Sequence, residues 1–129
     1  MHRLVHFEIH AEDPERAKNF YSSMFGWTYV QYESMEYWLV RTKASDGMAG
    51  MNGAITKRRG PAPEKGQPVN GFVCTIDIEN IDTALAKAQE LGATIALPKM
   101  VIPSVGWVAY IHDTEGNILG LLQPESNPS

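Results

Sequence analysis

The order of structural elements in this chain occurs twice, and that repetition limits the folds that the chain can adopt. Gly26 and Gly92 lie 66 residues apart, and each follows a segment with a helical pattern. Gly50 and Gly116 have the same separation, and each precedes a predicted final strand. Glycine commonly ends a helix because it adopts the left-handed conformation without strain. The spacing therefore predicts two βαβββ modules in tandem.

The first module begins with alternating apolar and polar residues, which predict a half-buried strand over residues 4–9. Asp13 is a predicted helix N-cap, and Pro14 suits the first helical position. An apolar stripe at helical spacing follows, formed by Ala17, Phe20, Tyr21 and Met24. Strands are then predicted over 27–32, 37–41 and 47–56.

Residues 57–69 are rich in glycine, proline and charge, which predicts an exposed linker. The second module has a predicted strand over 71–78 and a helix between its N-cap Asn80 and Gly92. Three more strands are predicted, over 93–97, 107–111 and 117–123. We therefore expect one domain over 1–129, with module 1 at about 3–56 and module 2 at about 70–124.

Composition limits the classes of binding partner and the cellular compartment that we expect for this protein. The net charge of −4 gives no attraction for nucleic acid or an anionic membrane, and no run of apolar residues is long enough to span a membrane. The single cysteine, Cys74, excludes an internal disulfide and fits a reducing compartment. The first ten residues lack the apolar run of a signal peptide. We expect a cytoplasmic protein that binds neither nucleic acid nor membrane.

Several motifs resemble those of the vicinal-oxygen-chelate superfamily, which includes glyoxalase I, bleomycin-resistance proteins and extradiol dioxygenases. The sequence His6-Phe-Glu-Ile, the segment 13–17 and Phe25-Gly-Trp27 resemble its first module. Residues 98–107 and 113–123 resemble the second module of its small glyoxalase-like members. The resemblance implies an α+β fold with mixed, mostly antiparallel sheets curled around a cleft. It also implies a homodimer.

The resemblance also implies where a metal would bind. Metal-using relatives take His, Gln or Glu ligands from the first and last strands of each module. Those positions fall here on His6, near Ala54, on Phe72 or Val73, and on Gly120. Of these only His6 is a ligand-type residue, so we expect no metal and a cleft wall widened at position 120. The alternative is a divalent ion such as Ni²⁺, Zn²⁺ or Mn²⁺ at His6.

His6 and Glu8 are the first candidate site residues. Two residues apart on one strand, their side chains share a face and lie roughly 6.5–7 Å apart along it. We predict that both contact a ligand in the cleft. Burial of Glu8 would raise the pKa of its carboxyl, which makes Glu8 the candidate catalytic base. Alternatively, the pair hydrogen-bonds to the backbone or lies at a dimer interface.

Three aromatic residues and one amide complete the candidate set. Trp38, Trp107 and Tyr110 lie on predicted strands and are candidate walls for a flat ligand, with ordinary core packing as the alternative. Gln123 ends the last strand, where its amide is a candidate ligand contact.

The first functional hypothesis is a bleomycin-resistance-type protein that binds a small apolar or aromatic molecule without metal. The alternative is a metal-dependent lyase or isomerase of the glyoxalase I type. A third hypothesis is an accessory module with a vestigial cleft.

Overall fold

The computed structural model describes residues 2–42 and 50–125. Its contacts divide the chain into two compact units, Met1–Ala62 and Pro63–Ser129, here called unit 1 and unit 2. Each unit has one helix and one four-stranded sheet in the order βαβββ, so the predicted element order and the α+β class are confirmed. Among the described residues, no helix is long and apolar enough to cross a membrane.

Unit 1 contains a mixed sheet with strand order β1-β4-β3-β2. Its elements are β1 (Glu8–Ala11), α1 (Pro14–Phe25), β2 (Thr28–Gln31), β3 (Tyr37–Arg41) and β4 (Gly53–Lys57). The pair of β1 and β4 is parallel, and the other two pairs are antiparallel. This agrees with the predicted mixed, mostly antiparallel sheet.

Two unit 1 strands differ from their predicted limits. The first strand begins at Glu8 and not at residue 4. Its pairing with β4 starts at Glu8 and Ala54, and the described residues before β4 form no strand pairs with residues 4–7. Instead, the Asn52 side chain and the Met51 carbonyl accept hydrogen bonds from Thr42. The predicted strand over 47–56 starts at Gly53, and its residues 47–49 lie outside the described residues.

Helix α1 has the ends that its sequence predicts. The Asp13 side chain accepts a hydrogen bond of 3.2 Å from the backbone N–H of Arg16, and Pro14 occupies the first turn. Gly26 takes the left-handed conformation at φ 72° and donates its N–H to Ser22. These contacts satisfy backbone groups that an uncapped helix would leave without partners.

The core of unit 1 lies between α1 and one face of its sheet. Phe20, Val40 and Ile55 are almost fully buried. Tyr21 stacks on Trp27 with ring centres 5.1 Å apart and planes inclined by 7°. Burial of each such large apolar side chain stabilises the fold by roughly 1.5–3 kcal/mol.

Unit 2 repeats the plan with strand order β5-β8-β7-β6. Its elements are β5 (Thr75–Asp77), α2 (Ile81–Glu90), β6 (Thr94–Ile102), β7 (Gly106–His112) and β8 (Ile118–Pro124). The pair of β5 and β8 is parallel, and the others are antiparallel. The Asn80 side chain caps α2 by accepting the N–H of Thr83 at 2.9 Å, as predicted.

Two unit 2 strands also differ in length from the prediction. β5 is shorter than the predicted strand over 71–78, whereas β6 extends beyond residue 97 to Ile102. Pro98 does not end β6, because β6 is an edge strand, where a proline without an N–H is tolerated.

Each unit contains an equivalent backbone hydrogen bond between its last strand and the segment at its first strand. Ala54 donates its N–H to the Phe7 carbonyl at 3.0 Å, and Gly120 donates its N–H to the Cys74 carbonyl at 2.8 Å. Ala54 therefore corresponds to Gly120. His6 precedes Phe7 as Val73 precedes Cys74, so Val73, not Phe72, is the counterpart of His6.

Candidate functional site

One face of the unit 1 sheet carries the main cluster of polar side chains. Directly paired residues of neighbouring strands project from the same face. One such row runs across the sheet from Glu8 through Ala54 and Leu39 to Val30. We call this the open face. It consists of Glu8, His10, Thr28, Val30, Tyr32, Tyr37, Leu39, Arg41, Ala54 and Thr56, together with the adjoining side chain of His6.

Tyr37 connects two strands of the open face that are not neighbours. Its hydroxyl donates a hydrogen bond of 3.3 Å to Glu8 Oε2 and lies 3.2 Å from His6 Nε2. Because β4 lies between β3 and β1, the tyrosine side chain must cross β4. Ala54 lies on this face of β4 and is fully buried. Its small side chain leaves space for the crossing.

Glu8 is ionised and solvent-accessible. His10 Nε2 lies 2.9 Å from Glu8 Oε1, and this hydrogen bond is the largest cause of a lowered Glu8 pKa. Burial acts in the opposite direction, and the Tyr37 hydrogen bond lowers the pKa further. The expectation of a raised pKa is therefore wrong, because the side chain remains 43% exposed and has hydrogen-bonding neighbours.

The Tyr37 hydroxyl remains a donor. Burial, followed by the charge of Glu8 and the hydrogen bond to it, raises the Tyr37 pKa. The two shifts agree, since a hydrogen bond from a neutral phenol to a carboxylate favours both of those protonation states. A carboxylate with a lowered pKa is a weaker base, so the arrangement favours hydrogen bonding to a ligand over proton abstraction.

Apolar side chains border the polar cluster. Val30 is 60% exposed and Leu39 is 40% exposed. The Tyr32 ring packs edge-on against Tyr37 with ring centres 6.4 Å apart. The open face thus combines an apolar surface with a few polar groups, which is the usual composition of a small-molecule site.

Trp38 lies on the opposite face of the same sheet. It pairs directly with Ile55, which is fully buried in the core. Lys18 of α1 places its Nζ 4.5 Å from the centre of the indole ring. The structure therefore does not bring Trp38 together with His6 and Glu8, and its position fits the alternative of core packing.

Gly120 does not leave an empty space in unit 2. A Cβ atom built there would lie 2.7 Å from Thr75 Oγ1 and 3.1 Å from Tyr110 Cε1. The expected widening at this position is therefore wrong, because Thr75 and Tyr110 already fill the space beside the glycine. Tyr110 is half-buried and pairs directly with Gly120.

Gln123 and Trp107 pair with each other across β8 and β7. Gln123 Oε1 accepts a hydrogen bond of 2.9 Å from the backbone N–H of Ile81, the first residue of α2. This amide therefore stabilises a helix end. Trp107 borders a shallow depression at the β6–β7 turn, which is lined also by Val101, Ile102, Pro103, Ser104, Gly106 and Glu125.

The metal-ligand positions implied by the resemblance do not fit a metal ion. Ala54 and Gly120 offer no donor atom, and Val73 is apolar. Thr75 and Tyr110 take the space that a longer side chain at 120 would need. Within residues 2–42 and 50–125, no group of three or more His, Cys, Asp or Glu side chains is placed to hold a metal.

The sequence pattern missed Tyr37 as a member of this cluster. Alternation along the predicted strand 37–41 puts residues 37 and 39 on one face and Trp38 on the other. That signal separates Tyr37 from Trp38. It does not show that the Tyr37 hydroxyl reaches Glu8, because this contact depends on the order of the strands.

Known proteins share both the sequence features and the architecture. A family model for the bleomycin resistance protein-like N-terminal region matches residues 3–42. A structure of FosX, a fosfomycin resistance protein of Listeria monocytogenes, matches with a TM-score of 0.73 at 15% identity. The match covers 98% of this chain and 93% of that one. The chain has the glyoxalase/bleomycin-resistance fold.

Two more structures with the glyoxalase/bleomycin-resistance fold match nearly the whole chain. A glyoxalase/bleomycin resistance protein/dioxygenase family enzyme of Burkholderia phytofirmans PsJN has a TM-score of 0.71 at 14% identity, with 94% and 98% of the two chains covered. A glyoxalase-related enzyme of Fulvimarina pelagi has a TM-score of 0.70 at 17% identity, with 99% and 90% covered. The resemblance to the vicinal-oxygen-chelate superfamily is thereby confirmed at the level of the fold.

A curated relative is CFP32 of Mycobacterium bovis, whose name includes the word glyoxylase. The two proteins are 27% identical over 121 residues, which cover 90% of this chain. The chain spans about 43% of the length of CFP32, and a Mycobacterium tuberculosis protein of the same name matches equally.

Proposed function

We propose that this chain is a small-molecule binding protein of the bleomycin-resistance type, which holds an apolar or aromatic compound without a metal ion. The observation that carries the proposal is the open face. It places the hydrogen-bonded His6, Tyr37 and Glu8 beside the exposed side chains of Val30 and Leu39. Such a surface offers apolar contact area together with a few polar groups that orient a ligand.

The side chains at the ligand positions support binding without metal. Of the four positions, only His6 carries a donor for a cation. A single imidazole with water holds a divalent ion weakly, because catalytic sites normally use three or more protein ligands. Ala54 and Gly120 instead leave room for Tyr37 and Tyr110.

A thermal-shift screen against aromatic metabolites and antibiotics tests the proposal, because a ligand of the folded state raises the melting temperature. Compounds that stabilise the protein are then tested on Val30→Glu and on the control Val69→Glu. The two valines are similarly exposed, at 60% and 52%, but Val69 lies in the loop before β5. We expect Val30→Glu to abolish the shift and Val69→Glu to preserve it. Equal loss in both variants, or no stabilising compound, would contradict the proposal.

A metal-dependent lyase or isomerase of the glyoxalase I type is the alternative. It is favoured by the name of CFP32 and by the presence of Mn(II) in a FosX structure. The two functions are separated by dialysis with Ni²⁺, Zn²⁺ or Mn²⁺ followed by metal analysis. They are also separated by an assay with the hemithioacetal of methylglyoxal and glutathione. Retention of one metal per chain, or turnover, would replace the binding proposal by the alternative.

A homodimer is part of the same proposal. The edge strand β6 exposes several large apolar side chains, including Ile95, Leu97 and Val101. Exposed apolar surface of this kind is typical of interaction sites. Sedimentation equilibrium should give twice the chain mass of 14.3 kDa, and a monomer at all concentrations would contradict it. A cytoplasmic location and the absence of nucleic-acid binding stay predictions.

A further inference from the structure

The hydrogen bonds of the open face have a direction that follows from the chemistry of the groups. An ionised carboxylate has only acceptor atoms, and a phenol has a single hydrogen to donate. The contact of 3.3 Å between Tyr37 and Glu8 Oε2 therefore uses the tyrosine hydrogen. The contact of 3.2 Å between Tyr37 and His6 must then run the other way, with Nε2–H of His6 donating to the phenol oxygen.

This direction determines the tautomer of His6. A neutral imidazole has one hydrogen, so a hydrogen on Nε2 leaves a lone pair on Nδ1. His6 is exposed, and its Nδ1 accepts no hydrogen bond from any residue in the described part of the chain. The network thus leaves the Nδ1 lone pair of His6 available to a ligand.

Glu8 and Tyr37, the two groups that share this network with His6, are less suited to this role, as are the apolar neighbours Val30 and Leu39. Each carboxylate oxygen of Glu8 already takes part in a hydrogen bond, one with His10 and one with Tyr37. Val30 and Leu39 have no polar side-chain atoms. The Tyr37 hydroxyl is engaged by both of its neighbours.

We propose that His6 Nδ1 accepts a hydrogen bond from the ligand, so that the open face selects apolar or aromatic compounds carrying an O–H or N–H donor. This inference rests on the proposed function and names the chemical class of its ligand. Tyr37 is the positioning residue, since its hydroxyl donates to Glu8, accepts the Nε2–H of His6 and so holds His6 in the required tautomer.

The tautomer is measured directly by NMR of the protein labelled with ¹⁵N in its histidine rings. At pH 8, the His6 signals should show a hydrogen on Nε2 and none on Nδ1. Tyr37→Phe should convert His6 to a mixture of tautomers. Tyr29→Phe is the matched control, because its hydroxyl bonds to the Lys18 carbonyl. Hydrogen on Nδ1 in the wild type, or an unchanged spectrum in Tyr37→Phe, would overturn the assignment.

Ligand selection is tested with 1-naphthol and 1-methoxynaphthalene, which share a ring system but differ in the O–H donor. We expect 1-naphthol to bind the wild type about ten-fold more tightly, the factor that one good hydrogen bond provides. Tyr37→Phe should bring the ratio toward one, and Tyr29→Phe should preserve it. Equal binding of both compounds to the wild type would overturn only this inference. Failure of both to bind would overturn the proposed function as well.

Discussion

Gly120 and Thr75 are direct partners across the parallel strands β8 and β5, and a Cβ on Gly120 would lie 2.7 Å from Thr75 Oγ1. The ring of Tyr110 closes the other side, with Cε1 3.1 Å from the same point. Glycine is normally unfavourable inside a strand because it packs no side chain. Here it is required because its neighbours occupy the space that a side chain would need.

Gly120→Ala should therefore lower the free energy of unfolding by about 1–3 kcal/mol, the usual cost of overpacking. The cost should be smaller in a Thr75→Ala background, which removes the nearer contact. Urea unfolding of the four proteins of this double-mutant cycle measures both values. Without the clash, alanine would stabilise by reducing the entropy of the unfolded chain, so a stabilised Gly120→Ala would contradict the packing.

Gln123→Met should destabilise unit 2 by about 1 kcal/mol, because it leaves the backbone N–H of Ile81 without its acceptor at the start of α2. Asn80→Ala removes the neighbouring cap to Thr83 and should have a similar effect on urea unfolding. Neither variant should change the affinity for a ligand of the open face. A loss of affinity in Gln123→Met without a loss of stability would instead indicate that the Gln123 amide contacts the ligand.

The lowered pKa of Glu8 should make the free energy of unfolding decrease as the pH falls into the acid range. Its pKa is lowered in the folded state, so its contribution is complete above the pKa of the unfolded chain and is lost as the pH falls through the folded value. Wild type should therefore lose more stability than Glu8→Gln between neutral pH and about pH 3. The difference should stay below about 1 kcal/mol because the pair with His10 is exposed. Identical pH profiles in urea unfolding would argue against the network.

Trp38→Ala should lower the free energy of unfolding by about 2–3 kcal/mol, because the indole packs beneath Lys18 on the helix side of the sheet. Binding of 1-naphthol should be unchanged when it is measured well below the unfolding transition. Lys18→Met is the companion variant, since it keeps the aliphatic contact and removes the charge above the ring. A weaker affinity for 1-naphthol in Trp38→Ala would indicate that the ligand contacts the helix side of the sheet and not the open face.

The parts of the fold that sequence predicted well depend on local signals. Asp13 and Asn80 cap their helices through contacts within three residues, and Gly26 ends the first helix through its own backbone conformation. Strand limits depend on partners distant in sequence. β1 starts only where β4 can pair with it, and β6 continues past Pro98 because it lies at the sheet edge.

The candidate site was likewise predictable where it depends on local alternation and not where it depends on contacts between strands. Alternation places His6, Glu8 and His10 on one face, and this follows from the backbone alone. The lowered pKa of Glu8 depends first on the hydrogen bond with His10 and also on Tyr37, whose hydroxyl reaches Glu8 across an intervening strand. Likewise, the space beside Gly120 is taken by Thr75 and Tyr110, which are near it only after the strands have paired.

Tyr37 crosses β4 beside Ala54 to reach Glu8. Its hydrogen bond to Glu8 and a long side chain at position 54 therefore exclude each other. A long carboxylate or amide at 54 would compete with the phenol for the same room and would place its oxygen atoms beside Glu8. That single exchange alone therefore does not add a metal-ligating group at position 54, since Tyr37 would have to be displaced first. Exchanges at Val30 or Leu39 instead alter only the apolar part of the open face, because neither residue takes part in the hydrogen bonds between His6, Tyr37 and Glu8.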